Sequence, residues 1–279
     1  MLSKIYKLSS LYPKKRAFIT GAGSGLGRAL CLELAKDGWN IGISDVNEMW
    51  LKETEHIIQQ NGGNAILYLL DVADHEKYSI VAKEYLSASQ GIDLLINNAG
   101  VGAAGVVGKY PPEEWKWVVG INQLGVMHGC HYFVPTMKKQ KSGQIINIAS
   151  AAGFLNPAGM APYNSVKAAV ISLSETLYAE LRDSHVRVSV VMPTYFNTNI
   201  IKNSKGGATQ KAIGQQLIDK ANIEPSVIAK KILTGAGNKQ LHIVLPYSAK
   251  ISYLMKRLFP TFFVNYMAKM YEKLKSSRK

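Results

Sequence analysis

Short apolar runs alternate with longer amphipathic stretches along most of the chain. The runs are 17–20 (AFIT), 40–44 (NIGIS), 65–70 (AILYLL), 93–97 (DLLIN), 144–150 (QIINIAS), 186–192 (VRVSVVM) and 241–246 (LHIVLP). Each is rich in Ile, Val and Leu and mostly continuous, which marks strands covered on both faces. Between them, amphipathic stretches predict helices near 25–37, 47–60, 74–89, 113–139, 162–184 and 225–234. Strands separated mostly by helices are βαβ units, so the pattern predicts an α/β fold, a doubly wound parallel sheet of about seven strands with helices on both faces. Ligands of such sheets bind beyond the carboxyl ends of the strands.

Composition narrows the classes. Apolar residues make up 47% of the 279 positions and charged residues 19%, which excludes a disordered or fibrous chain. The net charge of +14 would suit a nucleic-acid binder, but it sits at the ends. Residues 1–16 carry +5 and 250–279 carry +7, leaving +2 on 17–249. No nucleic-acid partner is expected. The two cysteines, Cys31 and Cys130, lie in helical stretches without metal-ligand spacing, so neither a disulfide framework nor a metal site is expected and a cytoplasmic location fits. No uninterrupted apolar run is long enough to span a bilayer. The first residues are broken by Lys4 and Lys7 and lack the core of a secretory signal.

Candidate chemistry clusters at the predicted strand ends. After the first strand come Thr20-Gly21-Ala22-Gly23-Ser24-Gly25-Leu26-Gly27, leading directly into a helix. Such a turn lets backbone amides approach a phosphate, and the helix start adds unpaired N–H groups. Asp45 ends the second strand, where a carboxylate accepts both adenine-ribose hydroxyls and repels a 2′-phosphate; the competing role is a helix cap shared with Asn47. The cofactor reading is therefore NAD. Asp71-Val72 closes the third strand and Asn97-Asn98-Ala99-Gly100 the fourth, where small and amide side chains suit an adenine site and ties between strand ends; the competing reading of either segment alone is an ordinary turn.

Tyr163 and Lys167 stand at i and i+4 on one helix face. A free phenol titrates near pH 10, and a neighbouring ammonium together with a positively charged nicotinamide favours the phenolate. A second such pair, Tyr271 and Lys275, is an internal control: Ser150 at a strand end precedes the first pair by thirteen residues, whereas Leu258 precedes the second. His128 and His131 share a helix face without further ligands and read as helix-packing or surface residues, and Trp115 and Trp117 read as packing.

The ordered set TGAGSGLG, Asp45, Asp71, NNAG, Asn122, Ser150, Tyr163-x3-Lys167 and Pro193 resembles the single-domain short-chain dehydrogenase/reductase family over about residues 16–248. The resemblance implies a Rossmann-like catalytic domain and a tetrad of Asn122, Ser150, Tyr163 and Lys167. Tyr163 then exchanges a proton with substrate oxygen, Ser150 hydrogen-bonds that oxygen, and Lys167 binds the nicotinamide ribose while tuning the tyrosine. Asn122 holds a relay water through its helix. Cofactor contacts carry over to Gly21, Ser24, Gly25, Leu26, Gly27, Asp45, Asp71, Val72, Asn98, Ala99, Gly100, Tyr163, Lys167, Pro193 and Thr198. A homodimer or homotetramer, built on the helices near 113–139 and 162–184, is also implied. The family's Pro-Gly turn is Pro193-Thr194 here, a departure that bears on loop geometry.

Residues 194–224, broken by Gly206-Gly207, read as a lid over the substrate. Tyr195, Phe196, Ile200, Ile201, Val101, Leu155 and Met160 offer apolar walls, with Lys202 and Lys205 as the available cations, so a lipophilic alcohol or ketone is expected. The chain divides into a basic extension at 1–15, the domain at 16–248 and a basic amphipathic tail at 249–279. In the tail, Ile251, Leu254, Met255 and Leu258 form one stripe, Pro260 interrupts, and Phe263, Tyr266, Met267, Met270 and Leu274 form another. The stripes meet either an anionic membrane surface or the protein itself. Alternatives to catalysis are an NAD-binding scaffold and a membrane-surface adaptor.

Overall fold

Residues 7–198, 200–201 and 204–276 are described in the computed structural model, without the side chains of 208–210 and 274–275. Among the described residues the strands are β1 (Arg16–Thr20), β2 (Asn40–Asp45), β3 (Asn64–Leu69), β4 (Leu94–Asn97), β5 (Ala103–Ala104), β6 (Gly143–Ile148), β7 (Val186–Pro193), β8 (Lys205–Gly206) and β9 (His242–Leu245). Seven of them make one sheet in the order β3-β2-β1-β4-β6-β7-β9, parallel throughout. The seven apolar runs correspond to these seven strands. The chain leaves β3 at one edge and crosses over to place β4 beside β1, with Ile19 registered between Ile43 and Ile96. That reversal opens a crevice beyond the carboxyl ends of β1 and β4.

The helices are α1 (Lys7–Leu11), α2 (Gly25–Lys36), α3 (Glu48–Gln60), α4 (His75–Ser89), α5 (Pro112–Val119), α6 (Gly125–Gln140), α7 (Ala152–Leu155), α8 (Ala161–Glu180), α9 (Ala208–Ala221), α10 (Pro225–Gly237), α11 (Tyr247–Leu258) and α12 (Pro260–Ser276). Local chemistry fixes their ends. The side chains of Asn47 and Asp74 accept the N–H groups of Trp50 and Lys77 at the starts of α3 and α4, and prolines open α5, α10 and α12. One core, built on Leu30, Leu34, Ile43, Ile232 and Leu233, lies on one side of the sheet. The other, built on Tyr78, Tyr85, Phe133, Val170 and Leu177, lies on the opposite side.

The basic N-terminal segment takes part in this packing. Leu8 and Tyr12 are buried in the first core, and the Trp39 indole N–H donates to the Ser9 hydroxyl at 2.8 Å. The charges at residues 1–6 and 277–279 lie outside the described residues. Both cysteines are buried and unpaired. Among the described residues no helix is long and apolar enough to cross a membrane.

Candidate active site

At the β1 end, Ser24 occupies the cap position of α2 with extended backbone and no side-chain hydrogen bond to the helix, so the amides at Gly25, Leu26 and Gly27 have no side-chain cap. A Cβ on Gly27 would stand 2.0 Å from the Gly21 carbonyl oxygen, which is why the turn cannot carry a side chain there. Asn98 closes the crevice floor: its Nδ2 donates to the carbonyls of Thr20 and Gly21 at 2.9 and 3.0 Å. The Asn98 and Ala99 amides both donate to the Thr20 hydroxyl at 3.0 Å. Gly100 follows, facing Asn122 and Lys167.

Asp45 stands at this same turn. One carboxylate oxygen accepts the Gly23 N–H and the other the Asn47 N–H, each at 3.0 Å, while Asn47 alone caps α3. Asp71 accepts the Ala73 N–H at 2.9 Å, and buried Val72 presents its carbonyl to His128 Nδ1 at 2.9 Å. His128 is thus a packing residue beside His75 and Tyr78. Sequence reasoning placed no basic group in the glycine turn, yet Arg28 folds back onto it. Its guanidinium donates to the Gly23 carbonyl at 2.6 Å and pairs with Glu53 at 2.7 Å. The i+5 spacing from Gly23 on an emerging helix was the available signal. Uncapped amides at a helix start, a glycine-rich turn and a carboxylate at the neighbouring strand tip fit a dinucleotide.

The other half of the crevice is built from α8 and the β6 end. Tyr163 and Lys167 are both buried on α8. Beside the Tyr163 phenol, the Ser150 hydroxyl accepts the Ala152 N–H at 3.1 Å and donates to the Pro193 carbonyl at 3.4 Å, while the Lys167 ammonium donates to the Ile148 carbonyl at 2.8 Å and lies 5.7 Å from the Tyr163 ring centre. Burial pushes the Tyr163 phenol up to about 12; neighbouring Ser150 opposes this and neighbouring Tyr195 adds to it. Burial holds the Lys167 ammonium down at about 8. Desolvation is thus the largest influence on the phenol in the chain alone. Of the control pair, Tyr271 lies on α12 in the tail, and the side chain of Lys275 lies outside the described residues.

Asn122 sits fully buried in a single π-helical turn, Gly120–Leu124, between α5 and α6. The continuous helix expected over 113–139 is interrupted there, as is common at functional positions. Its amide closes a ring with Val101, donating to the carbonyl and accepting the N–H, both at 2.8 Å. Pro193 accepts the Ala151 N–H at 2.8 Å, and Thr194 donates to the Leu245 carbonyl at 2.9 Å. Thr194 is not among the residues with positive φ, so this turn needs no glycine. Thr198 faces the glycine turn, its Oγ1 being 3.7 Å from where a Cβ on Gly25 would stand.

Only some of the expected walls line the catalytic side. Met160, Ile200, Trp115 and Trp117 pack with Tyr163, Tyr110 and Val118. Phe196 instead joins the core beneath α2 and α10, and Leu155, at the end of α7, packs into the opposite core. The lid carries structure of its own. β8 pairs with β5, and α9 follows. Lys205 spans the clasp with its ammonium 4.5 Å from the Trp117 ring centre, and Lys202 lies outside the described residues.

A two-sided parallel sheet with these constellations at its switch point defines a class, and the comparisons agree. The family profile described as short chain dehydrogenase matches residues 15–208, and the chain belongs to the short-chain dehydrogenase/reductase family. A probable oxidoreductase, EphD, of Mycobacterium tuberculosis is 37% identical over 185 residues, 66% of this chain. The match spans only 31% of that relative's length. Among solved structures, a short-chain dehydrogenase/reductase from Burkholderia phymatum in complex with NAD superposes with a TM-score of 0.81 and 31% identity, covering 88% of this chain and 94% of the other. A metagenomic short-chain oxidoreductase in complex with NADP gives 0.69 and 28% over 83% and 96%.

Proposed function

We propose that the chain is an NAD(H)-dependent oxidoreductase that interconverts a secondary alcohol and a ketone of lipophilic character. The observation that carries this reading is the buried Tyr163 and Lys167 on one face of α8, with Ser150 beside the phenol, at the sheet edge that also holds the glycine turn. When bound, the nicotinamide supplies or accepts the hydride. The protein's own groups handle the proton. Tyr163, protonated at neutral pH, donates to the ketone oxygen in reduction and recovers the proton in oxidation, while Ser150 holds that oxygen in place. Lys167, mostly cationic at pH 7, opposes the cost of a phenolate and faces Gly100 on the dinucleotide side. Asn122 fixes the strand-end loop through Val101 and holds the proton-relay position.

NAD over NADP is supported by Asp45, whose carboxylate would repel a 2′-phosphate, and by Arg28, whose charge is already engaged by Glu53. The expected kcat/KM is higher with NADH than with NADPH in a screen of apolar secondary alcohols and ketones read by absorbance of reduced nicotinamide. Asp45→Ala should narrow that preference by about tenfold, roughly the worth of one charge-assisted hydrogen bond. A wild-type preference for NADPH would overturn the cofactor reading.

A further inference from the structure

An amphipathic helix that docks on its own body turns its apolar stripe inward, yet α11 does the reverse. Tyr247, Ile251, Leu254 and Leu258 follow at helical spacing along one side, and the last three are 61, 56 and 60% exposed. The opposite side does the anchoring. Ala249 is buried, and Tyr253 packs edge-on against Phe154 of α7 with ring centres 5.0 Å apart. The second helix divides likewise. Phe263 and Met267 are buried, whereas Phe262, Tyr266 and Met270, four residues apart, stay exposed, as does Phe259 at the join. The tail thus spends one set of apolar residues on holding itself in place and presents another to the outside. Leu274 lies outside the described side chains.

The charges around this second set say what covers it. Between 247 and 276 there are six basic residues and a single acid, Glu272. Lys250 and Arg257 flank the α11 stripe, each lying against a tyrosine ring of its own helix. Lys269 and Lys273 are exposed on α12 among Phe262, Tyr266 and Met270. At the start of α11, Lys250 also joins Lys230 and Lys231 around a cleft beside β9. A second copy of the chain, docked through this face about a two-fold axis, would oppose each of these cations with its like. An acidic lipid surface meets them with phosphates while its acyl region receives the stripe, so both terms act in the same direction.

We propose that the outward face of α11 and α12 docks the protein on an anionic phospholipid bilayer, with Ile251, Leu254, Leu258 and Phe262 inserted and the flanking lysines and arginine at the headgroups. The protein lies on the membrane and does not span it. The inference rests on the tail alone and stands apart from the catalytic reading.

The test is sedimentation of the full chain with vesicles of phosphatidylcholine alone and of phosphatidylcholine mixed with phosphatidylglycerol. The wild type should pellet with the mixed vesicles, be released by raised salt, and stay largely in the supernatant with phosphatidylcholine alone. Leu254→Asp combined with Leu258→Asp should abolish pelleting. Lys250→Gln and Arg257→Gln should each lower the partition coefficient about fivefold. These side chains are exposed, so an unchanged melting temperature will show that the variants are folded. Three results would overturn the proposal: wild type left in the supernatant with mixed vesicles at low salt, equal pelleting by the double aspartate variant, or a light-scattering mass that falls in that variant. The last would assign the face to a second copy.

Discussion

Burial decides the resting charge of the two residues that share the α8 face. With its value held at about 8, Lys167 remains mostly charged at pH 7 in a desolvated position, at a cost of about 3 kcal/mol from the displacement below 10.5. The folded value lies below the unfolded one, so the unfolded chain binds more protons between them and stability rises with pH across that window. The penalty is fully present below about pH 8 and gone above 10.5. Lys167→Met removes it and also leaves the Ile148 carbonyl without this donor, which returns about 1–2 kcal/mol. Without cofactor, the variant should melt about 2–4 °C higher than wild type at pH 7 and lose that advantage near pH 10. Lower melting at pH 7 would show that the lysine is a structural asset. The pairing of Tyr163 with Ser150 was legible in the sequence as a spacing; the upward displacement of the phenol was not, because desolvation depends on what the fold puts around the ring.

At the scale of elements, strands announce themselves as apolar runs, and all seven were readable; the expected cover on both faces fails at the edge strand β3, which leaves Ile66 and Leu69 exposed. The small pieces that shape the site were not. The π-helical turn at Gly120–Leu124 keeps the helical period on either side of Asn122, so nothing in the pattern marks it. The β5–β8 clasp consists of two residues per strand and is held by backbone hydrogen bonds, Lys205 N–H to the Gly102 carbonyl and Gly207 N–H to that of Ala104, which any side chains could accompany. Its trace in the sequence is Gly206, with φ of 120° and an Ala104 carbonyl oxygen 1.8 Å from where a Cβ would stand. Gly206→Val should open the clasp. With two hydrogen bonds of about 1 kcal/mol each at stake, the substrate KM should rise at least about tenfold while the melting temperature falls by about 4 °C. An unchanged KM would separate the clasp from substrate binding.

At the scale of the molecule, one sheet brings three sequence-distant sets to a single edge: the glycine turn after β1, the Asn98 bracket after β4, and Ser150 with α8 after β6. Outside that edge, α6 and α8 expose Met127 and Tyr178, with Leu124 just before α6, and these are the helices through which a dimer or tetramer is proposed. Light scattering at micromolar concentration should return a multiple of the 30.6 kDa chain mass, and a monomer would contradict that assembly. The central claim is the proton role of Tyr163, and Tyr163→Phe tests it most directly. The substitution removes only the hydroxyl, so cofactor affinity, followed by fluorescence titration with NADH, should stay within about twofold of wild type. Turnover of any confirmed ketone should fall by about 10²–10⁴. Turnover near the wild-type rate with cofactor bound would remove the tyrosine from that role.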